Sequence, residues 1–203
     1  MSATRVLGKL VRGKTVFFGC DFQQCFRKSV YHYDQAIEAA SFLLKSARVL
    51  NVPVLMSEQY PEKLTHTVPE LMEIINAEGQ QPMPVFPKVQ FSMLTPEFEA
   101  KMKELCPEVT DVVVFGVEAH VCVMQTCHSL LEKGYTVHLA VDATSSRADA
   151  DRRLALQSLS QSGVFLTTSE SVAFQLLGTK EDACFKPISA LVKAKALPTD
   201  LTF

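Results

Sequence analysis

The sequence predicts an α/β fold: a three-layer doubly wound sandwich around a central six-stranded parallel sheet. Three observations predict it. Strand-like and helix-like runs alternate from end to end of the chain. The strand-like runs are nearly all apolar, as expected of strands buried on both faces of a parallel sheet. Right-handed crossovers between parallel strands then place helices on both faces.

The elements follow in order. TVFFGCDF (15–22) reads as the first strand. Residues 34–50 carry apolar positions at near-helical spacing. VPVLMSEQ (52–59) is a second strand, and VPELMEII (68–75) a short helix with Pro69 in its first turn. MPVFPK (83–88) is a third strand, kept short by its prolines. TPEFEAKMKELC (95–106) opens a helix with Thr95 as N-cap and Pro96 at N1. DVVVFGV (111–117) is the fourth strand, and residues 121–133 form a helix stopped by Gly134. TVHLAVDA (136–143) is the fifth strand, 149–161 a helix stopped by Gly163, and VFLTTSE (164–170) the sixth strand. Two helical segments follow. The pattern shows no repeat, linker or low-complexity tract, so residues 1–203 read as one domain with a core at about 15–180.

Composition excludes several classes of function. The chain of 203 residues is 47% hydrophobic and 21% charged, with a formal net charge of -2. That balance gives no global electrostatic reason to bind nucleic acid or an anionic membrane. No stretch approaches the roughly 20 apolar residues of a membrane span, and there is no secretory h-region. The expectations are no nucleic-acid partner, no membrane and a cytoplasmic location. A basic lead-in (Arg5, Lys9, Arg12, Lys14) leaves mitochondrial targeting as the alternative. The six cysteines form no CxxC pair, so neither a zinc ribbon nor a structural disulfide is expected.

In doubly wound folds, ligands bind at the carboxyl ends of the strands. The polar residues ending successive strands are Asp21, Ser57-Glu58-Gln59, Lys88, the segment Val117 to Cys122, and Asp142. Cys122 falls near the start of its helix, where free N–H groups and the helix dipole favour a thiolate. Taken alone, Cys122 reads as a small core residue, Asp21 as a turn former and Lys88 as a solvated lysine. Together they make a set: Asp21 takes the thiol proton, Lys88 holds Asp21 ionised, and the helix start stabilises a thiolate and later an oxyanion.

Those residues also carry a resemblance. CDFQ, KVQFSML and GVEAHVCVMQTCHSLLEKGYTVHLAVDATSSR look like the motifs of the isochorismatase-like cysteine hydrolases. SEQYPEKLTHTVPEL is similar to the eukaryotic isochorismatase domain-containing proteins, the second type in particular. The resemblance implies a catalytic triad of Asp21, Lys88 and Cys122. It also implies a cis peptide at Val117–Glu118 and an oxyanion hole built from the backbone N–H groups of Glu118 and Cys122. Gln23, Tyr60, Phe91 and His120 match positions near the pocket, which implies substrate contact. Members of the resembled family are commonly oligomers, and the apolar C-terminal segments FQLLG and ISALVKAKALP agree with self-association.

Two departures from the family's patterns shape the expectation. Nicotinamidases of this type bind metal through an Asp-x-His pair after the second strand, where this chain has SEQYPEKLTH with His66 alone. No metal and no cofactor are therefore expected. Isochorismate-cleaving members lack a nucleophile at the thiol position, whereas Cys122 is present here. The expected activity is hydrolysis of an amide or related C–N bond in a small molecule through a Cys122 thioester. The alternative is a protein-interaction module that keeps the fold and an idle triad. A glyoxalase-like thiol enzyme is disfavoured, since such enzymes place Cys directly after a Gly-x elbow.

Overall fold

The computed structural model describes residues 7–195. Its elements in chain order are β1 (Thr15–Cys20), α1 (Tyr33–Leu50), β2 (Val54–Gln59), α2 (Pro61–Leu64), α3 (Pro69–Ile75), β3 (Val85–Lys88) and α4 (Pro96–Leu105). They continue with β4 (Asp111–Val117), α5 (Met124–Glu132), β5 (Thr136–Ser145), α6 (Asp149–Gln161), β6 (Phe165–Thr167), α7 (Ser169–Leu177) and α8 (Phe185–Ala194). The six strands form one sheet in the order β3-β2-β1-β4-β5-β6, with every neighbouring pair parallel. Arg5 of the basic lead-in and residues 196–198 of the C-terminal segment lie outside the described residues.

Period-2 alternation divides the strands between two apolar layers. Phe17, Met56, Val113 and Phe115 face a layer made by α1, α3, α7 and α8. Val16, Phe18, Cys20, Leu55, Val112 and Val114 face a layer made by α4, α5 and α6. β1 and β4 are buried along their whole length, which their apolar runs foretell. β3 keeps only four residues, because Pro87 lies within it and Pro84 just before it. Thr95 caps α4 by accepting the Phe98 N–H at 3.2 Å.

The strand order reverses direction between β1 and β4, so the crevice of the sheet opens at their carboxyl ends. Two strands there come close. Gly116 pairs with Cys20 at φ +128°, and a Cβ on it would meet the Cys20 carbonyl oxygen at 2.1 Å. Only glycine fits that position without displacing the backbone that leads into Asp21.

The structure departs from the sequence expectation at three places. β5 runs on to Ser145, so Asp142 is a mid-strand residue; its carboxylate accepts the Ser169 N–H at 2.7 Å and the Lys195 ammonium at 2.9 Å, away from the crevice. The helix after β4 opens with a π-helical turn, Ala119–Val123, before α5 begins. In the C-terminal helices, Leu176, Leu177 and Ile188 are buried in the layer shared with α1, so α7 and α8 leave fewer apolar residues uncovered than expected.

Candidate active site

The crevice collects an acid, a cation and a thiol. Asp21 follows the last residue of β1 with φ +52°, a left-handed conformation that Asp tolerates better than most residues. Its N–H is held by the Ser57 carbonyl at 3.1 Å. Its carboxylate accepts the Ser57 hydroxyl at 2.7 Å on Oδ1 and the Lys88 ammonium at 2.8 Å on Oδ2. Both the Asp21 and Lys88 side chains are 1% exposed, so the ion pair is shielded from water.

Lys88 ends β3, and Nζ sits in a cage of oxygens. Besides Asp21 it donates to Gln59 Oε1 at 2.5 Å, to the Phe91 carbonyl at 3.0 Å and, more weakly, to the Gln90 carbonyl at 3.3 Å. Burial works against the ammonium, but the surrounding acidic groups Cys20, Asp21 and Cys122 outweigh it and hold Lys88 above the usual lysine range.

Cys122 lies in the π-helical turn behind the cis Val117–Glu118 peptide. It is 7% exposed and packs in the α4–α5–α6 layer. Its Sγ, the Cys20 Sγ and an Asp21 carboxylate oxygen all lie within 4.8 Å of one another. The thiol also approaches Gln59 Oε1 at 3.8 Å. Thr126 locks the turn by donating to the Cys122 carbonyl at 2.7 Å, and the same hydroxyl accepts the Met93 N–H at 3.0 Å. This ties the turn to the loop that carries Phe91. Cys127 is fully buried, and burial pushes its thiol well up.

The other expected residues divide into two groups. Phe91 and Tyr60 are half-exposed at the mouth, and the Tyr60 N–H donates to the Lys88 carbonyl at 2.8 Å. His120 pairs through Nδ1 with the Ser146 hydroxyl at 3.0 Å, while the Glu118 carboxylate accepts the Arg147 N–H at 2.6 Å. Gln23 behaves differently. It is fully buried, its amide donates to the carbonyls of Gln59, Leu64 and Thr65 and accepts the Gln59 N–H at 2.7 Å. Gln23 therefore positions Gln59 rather than facing open space.

Gln59 is the site residue that sequence reasoning named only as a strand end. Its Nε2 donates to the Val89 carbonyl at 2.8 Å, which turns Oε1 toward Lys88 and Cys122. The signal was available in the alternation of β2: Ser57 and Gln59 share one face, and Glu58 takes the other. Glu58 accordingly binds Thr67 at 2.7 Å and His66 at 3.0 Å. Among the described residues, the cluster that could offer three metal ligands is Cys20, Asp21 and Cys122. It fits a metal poorly, because the Lys88 ammonium already sits against the Asp21 carboxylate and would repel a divalent ion.

An open groove of about 440 Å³ is lined by Tyr60, Pro61, Lys88, Val89, Thr95 and Pro96 among others. A broader hollow lined by Arg48, Asn51, Met83 and Lys101 sits at the amino ends of β2 and β3, far from the thiol in the fold.

Comparison with known proteins completes the picture. An isochorismatase domain model matches residues 15–171. The isochorismatase domain-containing protein 1 of Salmo salar is 46% identical over 94% of this chain; the chain spans 65% of that relative's length. The isochorismatase domain-containing protein 2 of Xenopus laevis is 41% identical over 97% of this chain and 92% of its own length. Among solved structures, the MAR1 ribonuclease from Caenorhabditis elegans superposes with a TM-score of 0.87 at 38% identity, covering 96% of this chain and 97% of that one.

Proposed function

The chain belongs to the isochorismatase domain family, and from that premise we propose that it is a cysteine hydrolase that cleaves an amide or related C–N bond in a small molecule. One observation carries this reading: the Cys122 thiol and an Asp21 carboxylate oxygen lie within 4.8 Å, beside an ammonium 2.8 Å from that carboxylate.

The steps follow from the residues. Asp21 takes the thiol proton; each of its oxygens keeps a lone pair beyond those used by Ser57 and Lys88. The Cys122 sulfur attacks the substrate carbonyl, and the backbone N–H groups of Glu118 and Cys122 receive the oxyanion. Asp21 returns the proton to the leaving amine, the C–N bond breaks and a thioester remains. Asp21 then draws a proton from water, hydroxide adds to the thioester, the C–S bond breaks to release the acid, and Asp21 returns the proton to the Cys122 sulfur. Lys88 keeps Asp21 ionised between proton transfers. Tyr60, Phe91 and His120 contact the substrate.

A second substrate class has a specific ground. The C. elegans relative is named a ribonuclease, and RNA also breaks by attack on a polar centre assisted by a base. The deciding experiment runs a panel of small amides and a labelled RNA against wild type and Cys122→Ala. Saturable amide turnover lost in the variant supports the hydrolase. RNA cleavage lost in the variant moves the chemistry to phosphodiesters. Failure on both panels overturns the catalytic reading and leaves the fold as a binding module.

A further inference from the structure

The hydrolytic steps use Cys122, Asp21 and Lys88, and leave Cys20 without a task. Cys20 is the last residue of β1, is fully buried, and points into the same layer as Cys122. Its Sγ, the Cys122 Sγ and an Asp21 carboxylate oxygen are mutually within 4.8 Å. A buried thiol that only fills space needs no such neighbours; alanine or valine would pack a strand end as well. Here the second sulfur sits against the first, with a carboxylate to take a proton and an ammonium 2.8 Å from that carboxylate.

We propose that Cys122 is a site of reversible oxidation by a hydroperoxide, with Cys20 as the resolving thiol that closes a Cys20–Cys122 disulfide. The inference rests on the reading of Cys122 as the nucleophile. In the first step the Cys122 thiolate sulfur attacks the outer peroxide oxygen. The O–O bond breaks, a sulfenic acid forms, and the departing hydroxide or alkoxide takes from Asp21 the proton that Cys122 gave up, leaving as water or an alcohol. Cys122 is oxidised by two electrons and the peroxide is reduced. In the second step Cys20 gives its proton to Asp21 and its sulfur attacks the sulfenyl sulfur. The S–S bond forms, the S–O bond breaks, and the departing hydroxide takes the proton back from Asp21 to leave as water. Two thiols and one hydroperoxide give one disulfide, water and an alcohol, or two waters when the oxidant is hydrogen peroxide.

The arrangement explains why the resting site keeps both thiols. Burial, the Cys122 contact and the Asp21 charge push the Cys20 thiol well up, so it stays protonated until a sulfenic acid appears beside it. A disulfide requires the sulfurs to close to about 2.05 Å, a short movement for two side chains already within reach. Because the resolving thiol is intramolecular, it competes with the second peroxide molecule that over-oxidation to sulfinic acid requires. The disulfide occupies the nucleophile, so oxidation halts turnover until a thiol reductant opens it.

The test is non-reducing peptide mass spectrometry of the full chain after near-stoichiometric hydrogen peroxide, with free thiols blocked by alkylation. Wild type should yield the peptides of Cys20 and Cys122 joined and two hydrogens lighter, and dithiothreitol should restore full alkylation of Cys122. Cys20→Ser should instead give a dimedone adduct on Cys122, then sulfinic acid that dithiothreitol does not reverse. Sulfenic acid trapped on wild-type Cys122 with no link to Cys20 overturns the resolving role and leaves the nucleophile standing. Oxidation of other cysteines with Cys122 untouched overturns both. If Cys20→Ser fails to fold, the wild-type peptide map alone decides.

Discussion

Lys88 Nζ lies 2.8 Å from Asp21 Oδ2, with each side chain 1% exposed. A buried ion pair survives when its remaining hydrogen-bonding capacity is filled. Here Ser57 donates to the carboxylate, Gln59 and the Phe91 carbonyl accept from the ammonium, and the carboxylate keeps lone pairs for the thiol proton. The pair therefore serves as a fixed local field for whatever sits between Asp21 and Cys122. Because the Lys88 ammonium is held above its usual range, that field is fully present below pH ~10.4 and lost only as pH rises through the folded-state value.

Lys88→Met leaves the Asp21 carboxylate buried without its counter-charge. The expected loss is about 3–5 kcal/mol of stability, read as a lower urea midpoint. Cys122 should also react with iodoacetamide more slowly than in Lys180→Met, where the lysine is exposed. Asp21→Asn, by contrast, should leave the thiol alkylatable and abolish turnover, since the leaving amine then lacks its proton donor. Equal alkylation rates in the two lysine variants would remove Lys88 from the thiol's environment.

Gln59→Leu tests the amide that joins β2 to the thiol. It removes the acceptor 2.5 Å from Lys88 Nζ and leaves the third ammonium N–H only the long contact to the Gln90 carbonyl at 3.3 Å, at a cost of about 1 kcal/mol. The Cys122 alkylation rate should change by more than it does in Gln90→Leu, whose side-chain bond at 3.2 Å goes only to the Ser92 carbonyl. A Gln59 variant with unaltered thiol reactivity and turnover would reduce the 3.8 Å approach to a packing contact.

Much of the site was legible in the sequence. Strands buried on both faces read as apolar runs, and the polar residues that end them are drawn together by the fold's own rule. That places Asp21, Lys88 and Cys122. The depth of Cys122 was not legible. A π-helical turn inserts residues between β4 and α5, and five residues carry too little periodicity to distinguish it from an α-helical start. Asp142 was misplaced because the polar residue interrupts β5 without ending it; its carboxylate is matched by Ser169 and Lys195, both distant in sequence. The Gln23 clamp depends on three carbonyls 36 to 42 residues away, one at the end of β2 and two at the end of α2 and just after it. Cys20 lay within reach of the period-2 pattern, which sets it with Val16 and Phe18, but its meaning needs the helix that covers that face.

Gly116→Ala should damage the site from outside it. The residue stands at φ +128°, and a Cβ would press to 2.1 Å of the Cys20 carbonyl. Strain of that kind costs at least ~2 kcal/mol, and relief requires β1 to move where it delivers Cys20 and Asp21. Gly134→Ala is the control: it also has positive φ, at +83°, but a Cβ there would meet nothing within 4 Å. Gly116→Ala should lose both stability and Cys122 reactivity, and Gly134→Ala stability alone. Indistinguishable effects would mean that the strand contact does not govern the site.

Self-association has a basis at the mouth of the crevice. Tyr60, Val89 and Phe91 are 42%, 78% and 48% exposed, a group of large apolar side chains on neighbouring loops. A second subunit covering them would also shape the entrance. Light scattering should give a mass well above 22.5 kDa at micromolar concentration, and Val89→Glu with Phe91→Glu should lower it. A monomer mass in wild type would remove this role.

Acid should weaken the fold through His138. It lies in β5, 1% exposed, with its ring stacked on Phe165 at 5.3 Å. Nε2 makes no hydrogen bond and stands 3.8 Å from Asp111 Oδ1. Burial lowers its pKa and outweighs the Asp111 charge, so the folded protein holds it neutral. Above the unfolded value of ~6.5 neither state carries the proton, and stability does not depend on His138. Below that value the unfolded chain takes up a proton that the folded chain resists. Stability must then fall as pH falls, by at most ~1.4 kcal/mol per pH unit for one group. Glu58 does not confuse the window: burial raises it, but its hydrogen bonds to Thr67 and His66 outweigh burial and keep it ionised. His138→Phe keeps the stacked ring and deletes the titration. Urea midpoints from about pH 7.5 to about pH 5.5 should therefore decline more steeply in wild type than in His138→Phe. Parallel profiles would assign the acid sensitivity to another group.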